Sequence, residues 1–209
     1  MTDNKQLAKN LRKPEGEEGI KVGEFMNKGN AHTYARMKKH LRLSSSQEVL
    51  EIGFGNGITS KEFMKQCHYT GLDYSELMVQ EAEKNCAGLG AKFVHGDIHQ
   101  MPFPDNTFDV IFTINTIYFW DDADKAIAEL RRVLKPEGKL FIGMRTKEDM
   151  EFLGNITQHN FNIRPLHLVE EMLVEGGFSE CNYTVYLDPI VDRPDGRFVQ
   201  LHSVIFELK

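Results

Sequence analysis

The chain has 209 residues, 41% of them hydrophobic, which is enough for one sizeable core and predicts a single domain over residues 1–209. Its apolar runs are too short for a membrane span and its first residues have no apolar signal-peptide core, so we expect a cytoplasmic protein without a membrane span. The net charge of −6 disfavours a nucleic-acid partner, and three scattered cysteines without C-x-x-C spacing favour free thiols over a metal site.

The N-terminal segment is basic although the whole chain is acidic. Residues 1–47 carry ten Lys and Arg against five Asp and Glu, a net charge of +5. Apolar side chains recur at loosely helical spacing over residues 31–43, which predicts a helix. The charge fits either a solvated basic helix or a basic segment that lies over an acidic cleft and receives an anionic part of a substrate. We predict that residues 1–45 form a helical cap over the pocket.

From residue 48 onward, the hydrophobic pattern alternates between strands and helices and predicts a doubly wound, mostly parallel α/β sheet. Ser75 is placed to begin a helix, and Pro165 opens another that ends near Gly176. The pattern of residues 183–187 and 198–206 predicts two strands that form an antiparallel hairpin at one edge of the sheet, with a turn at residues 192–196. The predicted strands cover residues 48–52, 68–73, 91–96, 108–114, 138–144, 183–187 and 198–206.

The most informative stretch is residues 49–57, Val-Leu-Glu-Ile-Gly-Phe-Gly-Asn-Gly, where a buried strand ends in a carboxylate and opens into glycines. Glycines permit the tight turn into a helix and let a ligand approach the backbone. The dinucleotide pattern G-x-G-x-x-G would need a glycine at position 58, which is Ile58. The spacing of Glu51, Gly53, Gly55 and Gly57 is E-x-G-x-G-x-G instead. It resembles the first motif of the class I S-adenosylmethionine-dependent methyltransferases at all four positions.

This resemblance implies a Rossmann-like, seven-stranded sheet and S-adenosylmethionine as cofactor. Ligands of doubly wound sheets bind at the carboxyl ends of the strands, where two further acids lie. By resemblance, Asp73, with Tyr74 beside it, binds the ribose hydroxyls, and Asp97 with the backbone of Ile98 reads the adenine. Asn115 is a weaker match for a residue that reaches the methionine portion.

Two later stretches extend the resemblance to about residues 48–144. Residues 101–109 resemble the LPF-x-D-x-x-FD segment of the small-molecule "methyltransferase type 11" branch, and residues 130–140 resemble its companion segment. We therefore divide the chain into the cap, a cofactor-binding core at residues 46–145, and a substrate-side helix and edge hairpin at residues 146–209. The two flanking segments are expected to select a small-molecule acceptor, whose identity and reacting atom the sequence leaves open.

Two patterns are absent from the sequence. The [Asn/Asp]-Pro-Pro-[Tyr/Phe] loop of enzymes that methylate exocyclic amines of bases is replaced by residues 115–120, which argues against a nucleic-acid substrate. The histidines and cysteines lack metal-site spacing, so we expect no metal. A general base is needed only if the acceptor must lose a proton. The candidates by residue type and location are His32, Tyr34, Tyr118 and His159.

Three functions compete at this stage. The leading hypothesis is methyl transfer from S-adenosylmethionine to a small molecule by in-line displacement. A nicotinamide-dependent oxidoreductase would use the same sheet, but Ile58 argues against it. A non-catalytic S-adenosylmethionine-binding or partner subunit would keep the same glycines and acids. The oligomeric state is left open.

Overall fold

The computed structural model describes residues 3–151, 154–192 and 198–209. The helices are α1 (Asn4–Arg12), α2 (Gly16–His40), α3 (Lys61–Met64), α4 (Glu76–Asn85), α5 (Ala123–Val133), α6 (Lys147–Glu151) and α7 (Leu166–Glu175). The strands are β1 (Glu48–Ile52), β2 (His68–Asp73), β3 (Lys92–His95), β4 (Phe108–Ile114), β5 (Leu134–Met144), β6 (Cys181–Leu187), β7 (Val191–Asp192), β8 (Phe198–Val199) and β9 (His202–Leu208). Short 3₁₀ turns cover Ile58–Ser60, Ile117–Phe119 and Gly154–Ile156.

Seven strands form one sheet in the order β3-β2-β1-β4-β5-β9-β6, and β7 pairs with β8 separately. The first five are parallel, whereas β9 is antiparallel to both β5 and β6. The predicted doubly wound sheet with an antiparallel C-terminal hairpin is confirmed. The carboxyl ends of β1 to β5 therefore meet along one edge, where the predicted ligand residues lie. Most of the turn predicted at residues 192–196 lies outside the described residues.

Strand β5 begins earlier than the sequence predicts. We expected a strand at residues 138–144, but the strand starts at Leu134. Leu134 pairs with Phe108, and the register then shifts before Val110 pairs with Lys139. The turn-forming residues Pro136 and Gly138 are thus held in a bulge inside the strand.

Helix α2 is longer than the helix predicted over residues 31–43. Its 25 residues span about 37 Å, more than twice the roughly 17 Å of β1. Met37, near its C-terminal end, and Leu41, directly after it, are buried against one face of the sheet. Gly23, in the N-terminal half, comes close enough to α4 that a Cβ there would lie 3.2 Å from Sδ of Met78. The C-terminal part of α2 therefore covers the sheet, and its N-terminal part extends past the carboxyl edge.

Hydrophobic cores lie on both faces of the sheet. One face is covered by α2 and α3, with Phe63 and Phe112 among its buried residues, and the other by α5 and α7, with Leu130 and Leu173. Among the described residues, no helix combines the length and the apolar character that crossing a bilayer requires. Both faces of the sheet are therefore covered by helices.

Candidate functional site

The loop after β1 holds three glycines in left-handed backbone conformations. Gly53, Gly55 and Gly57 have φ angles of +74°, +60° and +76°. A Cβ on Gly53 would lie 2.3 Å from Cγ2 of Thr116, and one on Gly57 would lie 3.1 Å from Cβ of Ala82. Gly53 therefore allows the β1 and β4 loops to touch, and Gly57 allows the loop to pack on α4.

Gly55 faces open space beside a buried carboxylate. A Cβ on Gly55 would meet no atom within 4 Å. Its amide donates to Oδ2 of Asp73 at 2.9 Å, and the amide of Ser75 donates to Oδ1 at 2.9 Å. Asp73 is only 8% exposed, and burial raises its pKa to about 6 although these backbone hydrogen bonds oppose the shift. Each oxygen can accept a second donor, so the geometry fits a pair of ribose hydroxyls.

Glu51 lies beneath this loop, and its side chain has no exposed surface. Its two oxygens accept hydrogen bonds from the hydroxyls of Tyr34 and Tyr69, each at 2.6 Å. Burial raises the Glu51 pKa to about 7, and the two phenol donors oppose that rise. In this arrangement Glu51 joins α2 to β1 and β2 behind the glycines. Sequence reasoning missed the role of Tyr69, because nothing local marks a buried tyrosine as a carboxylate partner.

The predicted adenine-side residues follow β3. The Asp97 side chain is 45% exposed, and its Oδ1 accepts from the backbone amide of His99 at 2.9 Å and pairs with Nδ1 of His99 at 2.6 Å. Ile98 is half-buried and packs against the core of the α5 face. Tyr74 is 43% exposed. Asp97 and Tyr74 thus border the open side of the carboxyl edge.

Asn115 follows β4 in a left-handed conformation, with φ of +57°. Its side-chain amide donates to Oδ1 of Asn30 on α2 at 2.8 Å, and its Oδ1 accepts from the Tyr118 hydroxyl at 3.4 Å. One turn of α2 earlier, Asn27 donates to Oδ1 of Asn56 in the glycine loop at 3.0 Å. Two asparagines of α2 therefore bind the loops that follow β1 and β4.

The four candidate bases have different surroundings. Tyr34 is held by Glu51, and Tyr118 accepts from the Arg145 amide at 2.5 Å. Burial raises the pKa of both phenols well above 10, which disfavours either as a base at neutral pH. The side chain of His32 leaves α2 about 200° around the helix axis from that of Tyr34, which is nearly the opposite side of the helix. His159 is partly buried in the turn after Gly154–Ile156.

The aromatic residues after β4 mainly fill the core. Tyr118 and Trp120 are each 2% exposed, and both belong to the cluster on the α5 face. The Phe119 ring lies 4.8 Å from that of Phe161, centroid to centroid. The contacts of Tyr118 and Trp120 are therefore packing contacts.

Residues 3–15 run along the carboxyl edge. The Arg12 guanidinium forms a two-pronged ion pair with Asp121, after β4. Nζ of Lys13 lies 5.0 Å from the ring centroid of Tyr74, after β2, and the carbonyl of Pro14 accepts from the Ser75 hydroxyl at 2.6 Å. Helix α1 also contacts the 3₁₀ turn Gly154–Ile156. This segment therefore extends along the edge from the end of β2 to the region after β5.

A buried ion pair that sequence reasoning missed fixes α2 from the other side. Arg145, directly after β5, pairs with Asp188, and the side chains are only 9% and 2% exposed. The guanidinium also donates to the carbonyls of Gly29 on α2 and His202 on β9, each at 3.1 Å. Arg145 could have been found in the same way as the acids, because it is a charged residue at the end of a buried strand. The guanidinium is thereby committed to protein partners.

In sequence, the chain is similar to known methyltransferases. Residues 50–142 match a family profile described as "Methyltransferase domain". The chain is 32% identical over 111 residues to the uncharacterized methyltransferase YdaC of Bacillus subtilis, covering 52% of this chain and 61% of that protein. It is 34% identical over 122 residues to the sterol 24-C-methyltransferase ERG6B of Gibberella zeae, covering 56% of this chain and 32% of that protein. The chain thus spans less than two thirds of either relative.

Solved structures show the same fold. The YcgJ protein of Bacillus subtilis superposes with a TM-score of 0.71 at 20% identity, covering 85% of this chain and 98% of that one. A phosphoethanolamine N-methyltransferase of Haemonchus contortus, solved with phosphomonomethylethanolamine and S-adenosylhomocysteine, superposes with a TM-score of 0.67 at 18% identity. That alignment covers 85% of this chain and 52% of the Haemonchus enzyme. At these identities the likeness establishes the fold.

Proposed function

We propose that the chain is a class I S-adenosylmethionine-dependent methyltransferase and that it transfers a methyl group to a small-molecule acceptor. The observation that carries the proposal is the open space at Gly55 beside the Asp73 carboxylate, within the matched segment. The match to a methyltransferase domain over residues 50–142 supports this function over the oxidoreductase alternative. S-adenosylmethionine supplies an activated methyl sulfonium, so the main task of the protein is orientation.

In this proposal, each part of the edge has a separate task. Gly55 leaves room for the ligand, and Asp73 accepts hydrogen bonds from both ribose hydroxyls. Asp97 and the Ile98 backbone read the adenine, and Tyr74 borders them. Glu51 holds the glycine loop from below through its tyrosine partners. Asn115 lies beside the methionine portion, and its hydrogen bond to Asn30 fixes its orientation.

The acceptor is proposed as a small molecule because relatives with that activity share the domain. ERG6B is named for a sterol and the Haemonchus enzyme was solved with a phosphorylated amine, so the domain itself does not select the acceptor. The domain match covers residues 50–142, so in this proposal the segments on either side of it select the acceptor. Arg145 is an unsuitable partner for an anionic acceptor because it is already paired.

The same contacts favour alignment over general-base catalysis. Tyr34 and Tyr118 donate to internal partners and have raised pKa values, so they stay protonated at neutral pH. Of the four candidates, His159 lies in the segment that follows β5. An acceptor that is nucleophilic without deprotonation, such as a neutral amine or a thiolate, needs no base at all.

Ligand stabilisation tests the proposal. At about 100 times its Kd, S-adenosylhomocysteine should stabilise the fold by about 2.7 kcal/mol, which is roughly 5–10 °C in Tm for a chain of this size. NADH should give no shift. A shift with NADH alone would overturn the proposal. A panel of acceptors assayed for S-adenosylmethionine consumption then separates an enzyme from a binding subunit, because tight binding without turnover on any acceptor would favour the latter.

We also propose that α1 and the N-terminal half of α2 cap the pocket. The Arg12–Asp121 pair, the Lys13–Tyr74 contact and the Pro14–Ser75 hydrogen bond tie this segment to two strand ends. Because Met37 and Leu41 are core residues, the cap in this proposal ends before them. It therefore covers less of the chain than residues 1–45.

Asp121→Asn tests the cap without removing core residues. Loss of the pair with Arg12 should raise the dissociation rate of S-adenosylhomocysteine up to about fivefold, the ~1 kcal/mol upper range of an exposed ion pair. Stopped-flow displacement measures this rate. Lys38→Gln is the matched control, because it breaks the exposed Lys38–Glu62 pair of 3.5 Å elsewhere on α2. Equal rates in both variants would argue against the cap.

A further inference from the structure

His99 is the residue in the described structure that fixes the Asp97 carboxylate. The backbone amide of His99 donates to Oδ1 at 2.9 Å, and its ring Nδ1 lies 2.6 Å from the same oxygen. The ring is 15% exposed, whereas the Asp97 side chain is 45% exposed. A half-exposed aspartate would otherwise sample several rotamers, so the two contacts hold it in one. They leave Oδ2 without a hydrogen-bond partner among the described residues.

The other ring nitrogen of His99 defines the tautomer. The backbone amide of Asp122, after β4, donates to Nε2 at 3.4 Å. Since Nε2 accepts this bond, the ring proton lies on Nδ1 and is donated to Asp97. The ring thus joins the loop after β3 to the start of α5. Asp121, the neighbour of Asp122, pairs with Arg12, so the same link reaches the N-terminal segment.

We propose that His99 is a positioning residue that presents Asp97 to the exocyclic amine of the ligand's purine and so makes the site selective for a 6-aminopurine nucleoside. This inference rests on the proposed function, in which Asp97 reads the adenine. An ionised carboxylate accepts a hydrogen bond from a 6-amino group but faces a carbonyl oxygen unfavourably. Selectivity against a 6-oxopurine therefore depends on holding Oδ2 in place, since a mobile carboxylate would turn away from the carbonyl.

The measurement compares calorimetric Kd values of S-adenosylhomocysteine and S-inosylhomocysteine at pH 8. Their ratio defines the selectivity, and it should fall about five- to tenfold in His99→Ala, the range of one fixed hydrogen bond. A residue that only stabilises the loop would change both Kd values together and leave the ratio unchanged. The Asp97→Ala variant should lose the selectivity, and adding His99→Ala to it should change the ratio no further.

Two conservative variants separate the two ring contacts. His99→Asn places an N–H near the position of Nδ1 and should keep the selectivity, whereas His99→Gln reaches toward the Nε2 position and should lose it. Both keep the backbone contact and remain informative if His99→Ala fails to fold. Equal ratios for the Asn and Gln variants, or an unchanged ratio in His99→Ala, would overturn the role of His99.

The proposed function fails in a different way. If the wild-type protein binds neither nucleoside, the methyl-donor site itself is wrong. If it binds S-adenosylhomocysteine but Asp97→Ala keeps full selectivity, Asp97 does not read the purine and the inference about His99 falls with it. If Asp97 governs selectivity and His99 does not, only the inference is overturned.

Discussion

Replacing Gly55 with alanine is expected to weaken S-adenosylhomocysteine binding roughly 10- to 100-fold, as an added methyl group in an occupied site costs about 1–3 kcal/mol. A Cβ on Gly55 would meet no protein atom within 4 Å, so it would project into the space beside Asp73. The same change should lower stability by about 1–2 kcal/mol because the residue is left-handed. Calorimetry and thermal unfolding measure the two effects separately.

Gly88→Ala is the matched control for Gly55→Ala. Gly88 has φ of +82° and also has no atom within 4 Å of a built Cβ, but it lies in the exposed loop between α4 and β3. Both variants should lose similar stability, since both place alanine in a left-handed conformation. Only Gly55→Ala should lose affinity. If both variants bind S-adenosylhomocysteine as tightly as the wild-type protein, the space beside Gly55 is not the ligand site.

Asp73→Asn is expected to weaken S-adenosylhomocysteine binding by about 2 kcal/mol, roughly 30-fold, at pH 7.5. The neutral amide keeps the size of the carboxylate but can accept at only one of the two positions that the ribose hydroxyls require. Asp109→Asn is the control. Asp109 also accepts a backbone hydrogen bond, from Glu48 at 2.8 Å, but at the amino end of β4. Unchanged affinity in a folded Asp73→Asn variant would remove Asp73 from the site.

The pH dependence of binding provides an independent test of Asp73. Burial raises its pKa to about 6, so the carboxylate is ionised above that value and protonated below it. Binding favours the ionised form, and affinity should therefore fall by up to about tenfold per pH unit below pH 6, until it approaches the loss expected for the neutral Asp73→Asn side chain. Glu51, with a pKa of about 7, titrates in both proteins. The Asp73→Asn variant should lack the part of the pH dependence that Asp73 causes, and identical profiles would contradict the assignment.

The strand ends of the site could be predicted because their signals are local. A buried strand is visible in its apolar run, and Asp73 and Asp97 follow such runs directly. The glycine loop is equally local, since the spacing of its glycines distinguishes two ligand classes through Ile58. The length of β5 could not be predicted in the same way, because Pro136 and Gly138 signal a turn and only pairing with β4 draws them into a bulge.

The sequence by itself determined the fold class, the glycine spacing of the loop after β1 and the acids at the carboxyl edge, because strand periodicity and turn chemistry act between near neighbours. Only the tertiary structure decided which distant groups complete that edge. Asn30 meets Asn115 because α2 is long enough to pass from the sheet face across its edge. Arg145 meets Asp188 because β5 and β6, which they follow, both pair with β9. His99 likewise acquires its role only when the loops after β3 and β4 pack together. A hydropathy pattern shows that a residue is buried, whereas the partner of its polar atoms depends on how whole elements pack.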